Sequence, residues 1–151
     1  MLIRIYFISG STGFTFPTWR GFPSLEIAAP PSAPKTWFLG NGFPLDTDSD
    51  QDTNGDGVSL LMAYALNLNP NDHLTNQLPT VVLDSEKMSL SYFATSDGIV
   101  YKVETSTDFV DWIPEGVILS PLDPDGRRTA SVNRSSSKRF LRLVVTAERE
   151  R

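Results

Sequence analysis

The sequence predicts a mostly β protein with one short helix, in which an acidic loop and the helix after it pack on a small antiparallel β-sandwich. Three observations lead there. Apolar and polar residues alternate with period two beyond Leu78. Turn signals recur through the same region at about 8 to 12 residue intervals. A single Ala- and Leu-rich stretch with helical spacing runs from Val58 to Asn67. The 151 residues allow one modest domain and an appendage, since domains commonly hold about 100 to 150 residues. Hydrophobic residues at 40% and charged residues at 21% are ordinary globular proportions and argue against a wholly disordered chain.

Residues 1–36 carry many aromatics but little periodicity and read as an N-terminal extension closed by a proline-rich linker. The opening apolar run is broken by Arg4 and is too short for a membrane span, which needs about 20 apolar residues. It is also a poor secretory signal, because Phe14, Phe16, Pro17 and Trp19 follow where small residues should close one. The run reads instead as the last strand of an upstream domain, or as the start of a partial or mis-started reading frame. Successive prolines between Ala28 and Pro34 forbid helix and sheet pairing, so an extended boundary is expected there. Trp37, Phe38 and Leu39 then form an aromatic lead-in.

Residues 37–70 read as a second element, an acidic loop with its helix. Leu61, Tyr64 and Ala65 fall on one helical face, and Leu61, Tyr64 and Leu66 are expected to anchor the helix on the sheet. Asn67 and Asn69 can end the helix, and Pro70 blocks its continuation.

Residues 78–147 read as the sandwich. Met88, Leu90 and Tyr92 alternate with Ser89 and Ser91, and the stretch from Val100 to Thr105 alternates similarly. With the turn Thr95-Ser-Asp-Gly98 between them, these two runs are expected to pair as an antiparallel hairpin. Turns at Pro114-Glu-Gly116 and Asp123-Pro-Asp-Gly126 separate further apolar runs at Val117 to Leu119, Thr129 to Val132 and Arg139 to Thr146. About six or seven strands follow, in a fibronectin-like or immunoglobulin-like arrangement.

The formal net charge of -5 is local, because Asp46, Asp48, Asp50, Asp52 and Asp56 alone supply five negative charges. Such a block points to a cation and away from nucleic acid, which requires a basic footprint. Arg127, Arg128, Arg134, Lys138, Arg139 and Arg142 read as solvated strand and turn positions. The absence of cysteine excludes disulfides, thiolate zinc sites and cysteine nucleophiles. His73, the single histidine, lies in a polar stretch, and a His-based triad would need it to meet a serine and an acid across the fold. Phosphate-loop, HExxH and G-x-S-x-G elements do not occur, so the chain is not expected to be an enzyme.

Calcium is a hard cation that takes six to eight oxygens, and carboxylates on alternate positions of a loop can point at one ion. With Asp52 at loop position 1, Asn54 falls at 3, Asp56 at 5, Gly57 at the sharp turn at 6, and Val58 offers its carbonyl at 7. Position 12, where a bidentate Glu belongs, holds Ala63, and position 9 holds Leu60. Asp46, Asp48 and Asp50 are candidates to assist or to hold a second ion. A register beginning at Asp50, with Asp52 at 3 and Asn54 at 5, also fits. The plain alternative is a solvated turn with Asx caps before a helix. Crowding so many like charges has a cost that a cation would relieve.

The stretch from Asn54 to Pro70 resembles the C-terminal modules of large secreted and surface proteins of Verrucomicrobia and Planctomycetes, with their EF-hand-like, dockerin-like or thrombospondin type 3-like loop and β-rich tail. The similarity extends to Tyr101 through Trp112 and Arg139 through Thr146. Ala63 stands where that pattern has Glu, and Leu60 where it has Asn. The resemblance implies a non-catalytic, calcium-binding structural or interaction module in an extracellular or cell-surface setting. Its partner would be a neighbouring domain, a surface component or a polysaccharide. Rival expectations are a carbohydrate-binding module that uses exposed Trp112 or Tyr101, and a degenerate module that has lost its calcium.

Overall fold

The computed structural model describes residues 3–27, 30–134 and 138–148, and its contacts divide the chain into two compact units at Ser32/Ala33. The protein is mostly β, with two short helices and three small sheets among the described residues.

In the first unit β1 (Ile5–Ile8) pairs in parallel with β3 (Phe22–Ile27), and β2 (Thr18–Trp19) pairs antiparallel with β3. Arg20 and Gly21, at φ 50° and 83°, form the two-residue turn between β2 and β3. Two successive positive φ values give a turn whose twist matches that of its strands. Phe14 stacks between Phe7 and Trp19 at centroid distances of 5.3 and 5.2 Å, and the Trp19 indole N–H donates to the Gly13 carbonyl at 2.6 Å. A stretch read as an aperiodic extension therefore forms a sheet. Its order comes from a parallel pairing distant in sequence and from ring stacking, neither of which leaves a periodic pattern.

The second unit opens with α1 (Ala33–Gly40), where an extended linker and lead-in were expected. Pro34 is tolerated because it lies in the first turn, where its missing N–H would have had no helical acceptor. The expectation of one helix is thereby corrected to two. Phe38 of α1 is fully buried, and Trp37 meets Tyr64 edge-on at 5.4 Å.

Helix α2 (Leu60–Ala65) begins at Ser59, whose Oγ accepts from the Met62 N–H at 3.2 Å. It ends in a left-handed cap. Asn67 at φ 55° lets its own N–H reach the Tyr64 carbonyl at 3.1 Å and the Leu68 N–H reach the Ala63 carbonyl at 2.9 Å.

Six strands follow: β4 (Val81–Leu83), β5 (Lys87–Phe93), β6 (Ile99–Ser106), β7 (Ile118–Leu119), β8 (Arg127–Asn133) and β9 (Phe140–Ala147). One antiparallel sheet has the order β4-β5-β8-β7, and β6 pairs with β9 in another. The expected hairpin between β5 and β6 does not form, because β5 pairs with β4 and β8 in one sheet and β6 pairs with β9 in another. Tyr92 of β5 and Val103 of β6 instead share one core with Leu66, Leu90 and Ala130. Alternation reports which face of a strand is buried, and both runs would show it whether they paired or packed face to face.

Helix α2 belongs to the same core. Leu66 joins both sheets, while Leu61 and Ala65 pack with Ile99, and half-buried Val145 closes against them.

Candidate metal centre

The acidic segment is wired first of all to the start of α2. A helix leaves its first four N–H groups without helical acceptors. Here the Gln51 carbonyl accepts from Leu60 at 3.0 Å, the Ser49 carbonyl from Leu61 at 2.9 Å, and Ser59 Oγ from Met62, before the helical ladder starts with Ala63 on the Ser59 carbonyl at 3.0 Å. Residues 49–51 thus lie along the helix entrance.

Asp52 organises the loop that follows. Its Oδ1 accepts from the N–H groups of Gly55 at 2.8 Å and Asp56 at 3.2 Å, and its Oδ2 accepts from Gly57 at 2.8 Å. Gly55 at φ 74° and Gly57 at φ 83° supply the left-handed backbone that curls the chain around this carboxylate. Asn54 Oδ1 accepts from the Asp56 N–H at 3.2 Å. Asp56 Oδ1 accepts from Val58 at 2.9 Å, and its Oδ2 accepts from the Leu74 N–H at 2.7 Å and from Asn54 Nδ2 at 3.3 Å. The Leu74 N–H is the main cause that holds the Asp56 carboxyl below its usual range, with the Val58 N–H, the Asn54 amide and His73 adding to it against a cost of burial.

Of the sequence-derived ligands, Asp52, Asn54 and Asp56 are therefore gathered in one turn, with Val58 next to them. Asp46, Asp48 and Asp50 are exposed while Thr47 and Ser49 between them are half-buried. The Asp48 carboxylate caps the Asp50 N–H at 3.0 Å. Among the described residues, no three acidic, histidine or cysteine side chains come together as a cation cluster.

The donor set fits a hard cation on one side only. Asp52, Asn54, Asp56 and the Val58 carbonyl are all oxygen donors at the required spacing, and Gly57 makes the required turn. Leu60 and Ala63, at positions 9 and 12 of this register, are buried at 2% and 1% exposure and face the core.

The sequence did not indicate the segment from Asp72 to Thr75, which lies against the loop. Asn54 Nδ2 donates to the Asp72 carbonyl at 2.7 Å, and Thr75 Oγ1 donates to the Asp56 carbonyl at 3.3 Å. No spacing rule links residues this far apart, so nothing in the sequence could have found it.

Other candidate chemistry is sparse. His73 is exposed and its Nδ1 lies 3.0 Å from Thr75 Oγ1. The Arg142 guanidinium covers the ring of half-buried Trp112 at 4.2 Å, and Tyr101 is half-buried with its hydroxyl bonded to the Ala65 carbonyl at 2.7 Å. These two rings do not make an exposed, coplanar sugar platform. No helix among the described residues is long and apolar enough to cross a membrane.

No protein-family model, curated protein or solved structure matches this chain.

Proposed function

We propose that residues 33–151 form a non-catalytic, calcium-binding structural module of an exported or cell-surface protein. The observation that supports this most is the Asp52 loop. Three backbone N–H groups turn inward onto one carboxylate, which holds Asn54 and Asp56 on alternate positions within 3.3 Å of each other. Asp52, Asn54, Asp56 and the Val58 carbonyl would hold the ion, and calcium would supply a positive charge that relieves the crowding of carboxylates. With water filling the remaining positions, affinity is expected in the ~10⁻⁴ to 10⁻³ M range of extracellular modules. Binding to the folded state alone would add to its stability.

The sandwich is read as immunoglobulin-like. The order β4-β5-β8-β7 repeats the ABED order of a constant-type sandwich, and β6 with β9 occupies the places of C and F. The exported setting rests on the resemblance of the loop and tail to secreted modules.

A second reading, a loop that has dispensed with its ion, is favoured by the bonds to Asp56. Both of its oxygens already accept hydrogen bonds, and α2 offers no ligand at position 12.

Titration calorimetry of the full chain with calcium separates the two. Saturable heat that disappears in Asp52→Asn supports the calcium module. Absence of heat at millimolar calcium supports the metal-free cap.

A further inference from the structure

Strand β9 pairs with β6 along one edge, and no strand among the described residues pairs with its other edge. That open edge flanks an apolar cleft of about 200 Å³ between β9 and β4, lined by Leu141, Leu143, Val81, Leu90, and Met62 and Leu66 of α2. The ladder fixes which backbone groups face outward. The Glu148 N–H donates to the Gly98 carbonyl, and Thr105 exchanges both of its bonds with Ile113 on the far side of β6. Bonded and non-bonded pairs alternate in an antiparallel ladder. Arg142, Val144 and Thr146 therefore bond to β6, while Leu141, Leu143 and Val145 turn their N–H and C=O groups to the open edge.

Protein edges are ordinarily blunted by shortness, by charge or proline, or by a covering segment. Here β4 has three residues and β7 has two, and the far edge of β6 carries the bridge to Ile113. Strand β9 has eight residues and no proline. Its single charge, Arg142, is neutralised by Glu104 at 2.6 Å and lies over Trp112.

We infer that the open edge of β9 is the seam of a symmetric dimer, in which it pairs antiparallel with β9 of a second copy. A second copy fits because this edge complements itself. A two-fold axis at Leu143 sets Leu143 opposite its own counterpart and Leu141 opposite Val145 of the second copy, so each outward N–H meets a C=O. The two apolar clefts then flank one seam. Charge also permits the match, since the cross-strand neighbour of Arg142 is the uncharged Val144 of the second copy. One shared edge is a small interface, so association in the micromolar to millimolar range is expected. The dimer does not depend on the chemistry of the Asp52 loop.

The test is sedimentation velocity of the full chain over a concentration series reaching millimolar, with amide hydrogen exchange by NMR on the same samples. Reversible dimers are expected, and exchange at Leu141, Leu143 and Val145 should slow as concentration rises while Arg142, Val144 and Thr146 keep their protection. Val144→Lys places a second cation opposite Arg142 on the solvent-facing side of the strand. It should weaken the dimer by about 2- to 30-fold, because symmetry counts each cross-strand pair twice, with circular dichroism confirming that the variant is folded. A monomer throughout the series overturns the inference. So does a dimer in which those three amides exchange as they do at low concentration, or one that Val144→Lys leaves equally tight.

Discussion

The Tyr101 hydroxyl donates to the Ala65 carbonyl at 2.7 Å, and Ser96 Oγ donates to the Tyr64 carbonyl at 3.0 Å in the same turn. Carbonyls of the last helical turn lack partners within the helix. In α2 the Ala63 and Tyr64 carbonyls are met by the Leu68 and Asn67 N–H groups of the cap, while Ser96 in the connection from β5 to β6 adds to Tyr64 and Tyr101 of β6 serves Ala65. Loop, helix and sheets are therefore one bonded piece, so whatever stiffens the loop bears on the sheets.

Tyr101→Phe removes the stronger of two bonds to the Ala65 carbonyl and leaves it Ser96 Oγ at 3.3 Å. A loss of about 0.5 to 1.5 kcal/mol is expected, read from the urea midpoint at unchanged slope.

Leu66 tests whether helix and sheets share a core, because it packs with Leu90, Tyr92, Val103 and Ala130 at 6% exposure. Leu66→Ala should cost about 2 to 5 kcal/mol. Val82→Ala, at a residue 62% exposed, should stay within about 0.5 kcal/mol. Equal effects in equilibrium unfolding would mean that α2 is not part of the core.

The pH dependence of stability follows from Glu104, which is 6% exposed. Lys102 is the main cause that holds its carboxyl below the ordinary value of 4.5, with Arg142 second. Their nitrogens lie 2.6 Å from Oε1 and 2.6 Å from Oε2. A group whose folded pKa is lowered contributes stability that is fully present above its unfolded value and is lost as pH falls through the folded one. Unfolding midpoints should therefore fall below about pH 4.5, and Glu104→Gln should flatten that fall. Asp56, Asp84 and Asp108 are also lowered and leave a residual slope of the same sign.

Gly126 sits at φ 76°, and a Cβ there would lie 2.6 Å from Thr95 Oγ1 and 3.2 Å from the Phe93 ring. Gly126→Ala should lower stability by about 1 to 2 kcal/mol from the backbone alone. Thermal melts of the two proteins check it.

Alternation made Lys87 to Ala94 legible as a strand because it buries one face, and turn signals around short apolar runs did the same for Thr129 to Val132 and Arg139 to Thr146. Partner choice was not legible, since Tyr92 and Val103 look the same whether their strands pair or pack across a core. The first sheet was hidden because β1 and β3 are held by a parallel pairing distant in sequence. Helix α1 was hidden because Pro34 reads as a breaker anywhere except in a first turn. The Asp52 turn was legible, since adjacent Asp, Asn and Gly carry their geometry locally. Its bond to Leu74 was not, because Asp56 and Leu74 are brought together by folding alone.

The most direct test of the calcium account is the thermal midpoint of the full chain in millimolar calcium and in excess chelator, beside an Asp52→Asn, Asp56→Asn double variant. The expected result is a midpoint raised by calcium in the native chain and unmoved in the variant. An unchanged midpoint in the native chain would contradict the account and leave the Asp52 loop as a metal-free cap on α2.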